Sequence, residues 1–143
     1  MRPKADLILS TENTTPGISF TDLNLCAPLL RAISEAGYST PTPIQAHAIP
    51  YVLRGGDLLA GAQTGTGKTA GFTLPILHTL SASPLTNQTK GTPRCLILSP
   101  TRELAAQIGE SVTTYGKYLP IKSMVGFGGV GINPQINRLG KPI

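Results

Sequence analysis

The stretch Ala62-Gln63-Thr64-Gly65-Thr66-Gly67-Lys68-Thr69 decides how the rest of this chain is read. Residues 57–62 before it are short and mostly apolar, and they predict a buried strand. Residues 68–80 carry Phe72, Ile76 and Leu80 four apart, and they predict a helix. A strand, a glycine-rich turn and a helix in that order make a cradle for phosphate. The glycines let the backbone turn so that several N–H groups face one anion, and the helix N-terminus adds its positive end. In such a loop the Lys68 ammonium reaches the β- and γ-phosphates and the Thr69 hydroxyl reaches Mg²⁺. The general pattern has glycine where this chain has Ala62, so Ala62 requires a negative φ.

Outward from the loop, helix and strand signals alternate. Upstream, Leu29, Leu30 and Ile33 have helical spacing, with Pro28 in the first turn and Gly37 as a stop. A second helix is predicted to open at Thr42-Pro43, with Thr42 as its cap and Ile44, Ala48 and Ile49 on its apolar face. Pro50, lacking an N–H, is expected to kink or end it. Downstream, residues 81–93 read as a loop and residues 95–98 as a buried strand. A helix follows from Thr101 to about Lys117, then a third strand over 121–125, and a last helix opens at Asn133-Pro134. The order predicts an α/β fold, a parallel sheet flanked by helices. Residues 1–17 are polar and turn-rich and read as a flexible leader with one apolar island, Leu7-Ile8-Leu9. Residues 18–143 then form the domain.

Composition bounds the possibilities. The chain has 143 residues, one domain's worth. No apolar run is long enough to span a bilayer, and the N-terminus lacks a secretory pattern. Cys26 and Cys95 fit no metal or redox spacing, so a reduced, cytoplasmic compartment is expected. The net charge of +5 is unevenly spread. Residues 1–89 balance five cations with five acids, whereas residues 90–143 hold seven cations against Glu103 and Glu110. That asymmetry suits a polyanionic partner, although on charge alone an ordinary basic surface is the preferred explanation. A second glycine cluster, Gly126-Phe127-Gly128-Gly129-Val130-Gly131, fits G-x-G-x-x-G, but no acid follows Glu110 to hold a ribose as a dinucleotide site requires.

Several of these stretches resemble the motifs of one family. Gly37-Tyr38-Ser39-Thr40-Pro41-Thr42-Pro43-Ile44-Gln45 is similar to the Q motif of DEAD-box RNA helicases, with Phe20 as the isolated upstream aromatic. The Q-motif region thus spans 18–46. Residues 62–69 match motif I in its helicase form, which accounts for Ala62. Pro100-Thr101-Arg102-Glu103-Leu104-Ala105-Ala106-Gln107 matches motif Ia (100–107), and Gly128-Gly129 falls at the GG pair. The stretch from Gly129 to Gln135 looks most like the bacterial RhlE-type subgroup.

The resemblance implies part of a RecA-like P-loop NTPase lobe, truncated, that binds ATP with Mg²⁺ and couples hydrolysis to RNA unwinding in a longer protein. It implies adenine selection by Gln45, with Tyr38 stacking nearby. The side chains suit those roles: an amide offers the donor and acceptor that match the N6 and N7 edge of adenine, and a tyrosine ring stacks on a purine. ATP contacts are thereby expected from Tyr38, Gln45 and residues Ala62, Gln63, Thr64, Gly65, Thr66, Gly67, Lys68 and Thr69, with Lys68 and Thr69 also catalytic. RNA contacts are expected from Pro100, Thr101, Arg102, Gly128 and Gly129. A helix start with an arginine grips phosphate, and bare glycines let a sugar–phosphate strand come close. Such contacts position a strand without reading its sequence.

The family pattern continues with TPGR, DEAD and SAT motifs, none of which this chain contains. After Thr69 its only carboxylates are Glu103 and Glu110. Phosphoryl transfer needs a carboxylate on the metal and a group orienting water. The chain thus reads as an N-terminal portion that lacks the hydrolytic groups. The alternatives are a non-catalytic nucleotide- and RNA-binding protein, or a different P-loop enzyme such as a kinase.

Overall fold

A computed structural model describes residues 4–8, 17–83 and 92–140 of the chain. Among the described residues, five helices and two strands run in the order β1 (Lys4–Ile8), α1 (Ala27–Glu35), α2 (Pro43–Leu53), β2 (Asp57–Gly61), α3 (Lys68–Ala82), α4 (Arg102–Gly116) and α5 (Ile132–Leu139). A single 3-10 turn, Phe20–Leu23, precedes α1.

The helix ends follow local chemistry. Thr42 stands at the N-cap of α2 without a side-chain cap bond, and Pro43 occupies the first turn, where a missing N–H costs nothing. The Thr42 N–H donates to Gln45 Oε1 at 3.0 Å, one arm of a capping box. Gly37, at φ +83°, turns the chain out of α1, and the Gly37 and Tyr38 N–H groups close on the carbonyls of Ser34 and Ile33. Thr101 caps α4 by accepting from the Leu104 N–H at 3.2 Å. Pro50 does not end α2, which continues to Leu53. It stands in the last turn, so only one ladder bond is forfeited.

The two strands pair in parallel, with Lys4 opposite Asp57 and Ile8 opposite Gly61. This corrects the reading of residues 1–17 as a flexible leader over residues 4–8; residues 1–3 and 9–16 lie outside the described residues, as do 84–91 of the expected 81–93 loop. Two further expectations are corrected. Residues 95–98 and 121–125 join no ladder, so the described sheet has two strands. Nor is β2 buried: Leu58 and Ala60 are half-buried, while Leu59 is 58% exposed. A strand becomes fully buried only when both faces are covered, and here α2 packs on β2 while Leu59 stays open.

The core lies among the helices instead. Leu29 and Ile33 of α1, Ile49 of α2, and Leu74 and Leu77 of α3 are fully buried together, with Phe20 and Leu23 of the 3-10 turn against them. α3 is central, packing on both α2 and α4. His78 of α3 ties in the start of α1, its Nδ1 accepting from the Cys26 N–H at 3.0 Å.

One surface knot joins α1 to α4. Glu35 accepts from Lys117 Nζ at 2.5 Å, from the Tyr118 hydroxyl at 2.6 Å and from Arg31 Nε at 3.0 Å. The Arg31 guanidinium lies over the Tyr118 ring, 4.0 Å from its centre. The donors, Lys117 foremost and then Tyr118 and Arg31, hold the Glu35 carboxyl down at about 2. Its folded pKa is below the ordinary carboxylate value, so its stabilisation is complete above about pH 4.5 and is lost as pH falls toward 2. Urea melts across that window should lose part of their slope in Glu35→Gln. An unchanged profile would show that the knot contributes nothing.

Candidate nucleotide and nucleic-acid site

β2 runs into the loop and α3 runs out of it, as the phosphate cradle requires. Gly65 and Gly67 both take left-handed backbone, at φ +85° and +84°. Asn24 alone among described non-glycine residues has positive φ, so Ala62 meets the condition its side chain imposes. Lys68 opens α3 and its ammonium folds over the loop, donating to the carbonyls of Ala62 and Gln63, the latter at 2.7 Å. Thr66 Oγ1 also donates to Gln63 O, at 2.7 Å. The cation thus sits at the loop mouth beside the α3 N-terminus, where both fields favour an anion. Thr64 lies in the same exposed turn. Thr69 follows in the first turn of α3, and its carbonyl accepts from Thr73 Oγ1 at 2.8 Å.

The glutamine from the 42–45 turn reaches this loop. Gln45 is 7% exposed, and its Nε2 donates to Gly67 O at 3.2 Å while Oε1 is held by the Thr42 N–H. The approach is so close that a Cβ at position 67 would collide with the Gln45 amide. A side chain is therefore excluded there twice, by backbone conformation and by space. The Thr42 hydroxyl oxygen beside them is buried with no hydrogen-bond partner among the described residues.

These groups line a cavity of about 320 Å³, near the lower end of ligand-pocket sizes. Tyr38, 56% exposed, stands at it, and Phe20 lies at its floor. The Phe20 N–H donates to Ser39 O at 3.4 Å, which binds the upstream aromatic to the Tyr38 turn. α4 supplies another wall through Gln107, Ser111 and Tyr115, which the sequence reading did not assign to this cleft. Burial first, and then Tyr38, raises the Tyr115 phenol above its ordinary value. The only earlier signal for that wall was the four-residue spacing of three polar side chains.

The second cluster forms at the start of α4. Pro100 and Thr101 precede it, and Arg102 is its first residue. Gly129, at φ +67°, comes so close to the Arg102 guanidinium that a side chain at 129 would collide with it. Gly128 beside it has open space where a Cβ would be. Gln135 of α5, also not foreseen, holds this loop: its Oε1 accepts from the Phe127 N–H at 2.9 Å and its Nε2 donates to Phe127 O at 3.1 Å. Arginine and the glycine pair are therefore neighbours in space, though 26 residues separate Arg102 from Gly128 in the chain.

Among the described residues there is no group of three or more His, Cys, Asp or Glu able to hold a metal ion. No described helix is long and apolar enough to cross a membrane.

Residues 42–143 match the model of the DEAD/DEAH box helicase family. The chain is 44% identical over 142 residues to an ATP-dependent RNA helicase DHH1 of Scheffersomyces stipitis, covering 99% of this chain and 26% of that protein. It is 43% identical over 122 residues to the ATP-dependent RNA helicase DeaD of Escherichia coli K12, covering 85% of this chain and 18% of that protein. The fold aligns at TM-score 0.75 and 35% identity with the RNA helicase Prp28 of Chaetomium thermophilum bound to ADP, over 92% of this chain and 32% of that one. The chain thus spans about a quarter of the length of its DHH1 relative. With motif I, the Q-motif glutamine and motif Ia assembled as described, this chain belongs to the DEAD-box helicase family and carries part of its RecA-like α/β lobe.

Proposed function

We propose that this chain is the adenine-nucleotide- and RNA-binding part of an ATP-dependent RNA helicase, a cytoplasmic enzyme that couples ATP hydrolysis to RNA duplex unwinding. The observation that carries the reading is the bond from Gln45 to Gly67 O. It brings the Gln45 amide and the glycine-rich loop into one cleft, which supports an amide that reads the base beside a loop that takes the phosphates, a pairing a kinase-type P-loop does not call for. In this reading Tyr38 stacks on the purine, Gln45 selects adenine, and the loop from Ala62 to Thr69 takes the phosphates. Gln45 uses one N–H on Gly67 O and one lone pair on the Thr42 N–H, which leaves it one donor and one acceptor for a base edge.

The residues present fit an adenine nucleotide, given the cavity and the orphaned Thr42 hydroxyl. They do not make a Mg²⁺ site by themselves. Thr69 offers one hydroxyl, and Mg²⁺ is usually held by one or two carboxylates together with phosphates and water. Any Mg²⁺ here would arrive with the nucleotide.

Competition between ATP and GTP for the cleft tests the reading. The chain should prefer adenine, and Gln45→Ala should erase the preference. Equal affinities in the unaltered chain would refute it.

The RNA half rests on Arg102 beside Gly129, with Pro100, Thr101 and Gly128 completing the surface. Binding should be weak, independent of base sequence, and should fall steeply as salt rises. Fluorescence anisotropy with two unrelated single strands is the measurement, and Arg102→Ala should flatten the salt slope by about one counterion. Strong dependence on base sequence would contradict a backbone-only contact.

A further inference from the structure

α5 leaves Ile132, Ile136 and Leu139 exposed, and Gln135 alone on that helix is half-buried. The most buried side chain of α5 is thus an amide. It pairs with residue 127 as a second peptide group would: Oε1 accepts from the Phe127 N–H at 2.9 Å and Nε2 donates to Phe127 O at 3.1 Å. The other N–H of the same amide reaches Gly131 O at 3.4 Å. These three bonds bracket Gly128 and Gly129. Both glycines are exposed, and neither N–H donates to a backbone acceptor among the described residues. The Arg102 guanidinium lies against Gly129. Two adjacent glycines are the most freely rotating pair a chain can hold. Left untied they would have to be ordered when a strand arrives, and that ordering would weaken binding. Among side chains only an amide of this length both donates to and accepts from one backbone residue here, so the tie depends on Gln135 itself.

We propose that Gln135 is a positioning residue for RNA: its amide presets the exposed Gly128–Gly129 backbone beside Arg102, so that neutral N–H groups and one cation are offered together to a sugar–phosphate strand. The inference rests on the reading of this surface as an RNA contact. Gln135 itself touches no RNA in this account. It acts through the loop, and it acts on the uncharged part of the contact.

The experiment follows the fluorescence anisotropy of a labelled oligouridine across a salt series, with the 143-residue chain and with Gln135→Met, which keeps the side chain's length but loses its donor. Affinity in the variant should fall about fivefold at every salt concentration, the scale of a hydrogen bond or two. The salt slope should stay as it was, because no phosphate-neutralising cation is removed. ADP affinity should not change. Amide hydrogen exchange at Phe127 should quicken in the variant while the amides of α4 keep their protection. Unchanged RNA affinity, or unchanged exchange at Phe127, would overturn the proposal. So would a flattened slope, which would place the effect on a cation instead of the glycine backbone. Loss of ADP and RNA binding together would reduce Gln135 to a structural role and overturn it too. Arg102→Ala separates the layers. If that variant flattens the slope while Gln135→Met is silent, only this inference fails; if the unaltered chain binds oligouridine without salt dependence, the RNA reading fails with it.

Discussion

Lys68→Ala is expected to weaken adenine-nucleotide binding by about 10- to 150-fold, the equivalent of roughly 1.5–3 kcal/mol for charge-assisted contacts. The ammonium is held over the loop mouth by two backbone carbonyls, so its position is set before any anion arrives. Its removal costs the ligand a charge and also unstraps the loop. The fold should survive, because Lys68 is only half-buried and lies outside the helical core. Gly67→Ala provides the contrasting case. A Cβ there would strain a left-handed residue by about 1–2 kcal/mol and collide with the Gln45 amide. Both nucleotide affinity and folding stability should fall in that variant. Titration calorimetry beside urea melts separates the two. Unchanged affinity in Lys68→Ala would remove the loop from the site.

The second large effect concerns the open face. Leu96 and Leu98 are 77% and 84% exposed, and they border an apolar groove of about 910 Å³ together with Ile132 and Ile136. Solvent-exposed apolar stretches of this kind drive association, and the outer edge of β2 has no strand beside it among the described residues. The 143-residue chain by itself should associate with rising concentration and melt broadly. Leu96→Lys with Leu98→Lys should raise the concentration at which association sets in by about an order of magnitude, on the strength of gatekeeper charges. Light scattering and scanning calorimetry read this. The same chain should show no RNA-stimulated phosphate release, since Glu103 and Glu110 are its only carboxylates after Asp57 and both lie on α4, away from Thr69 in the chain. A sharp cooperative melt of a monomer, or turnover that depends on Lys68, would overturn this account.

Short-range chemistry was legible from residues alone. The caps Thr42 and Thr101, the stop at Gly37, and the strand, loop and helix around Lys68 depend on neighbours within about a turn, and each stands where local rules place it. The motifs carried family membership for the same reason, because each is a contiguous run of residues. What failed were readings that depend on which backbone a segment meets in space. The strand status of residues 95–98 and 121–125 was inferred from apolar runs, yet a strand exists only when another backbone takes up its hydrogen bonds.

Tertiary structure alone decided the rest. It paired Lys4–Ile8 with β2 across about fifty residues, a register no local pattern encodes. It gave each end of the Gln45 amide a partner, one in its own turn and one at Gly67, which ties the 42–45 turn to the glycine-rich loop. It set Arg102 against Gly129 and closed the Phe127 loop with Gln135. It also brought Gln107, Ser111 and Tyr115 to the cleft. A run of residues specifies its own φ and ψ preferences and caps, whereas the face a helix presents to a distant loop is chosen by packing around Leu29, Ile33, Ile49 and Leu74.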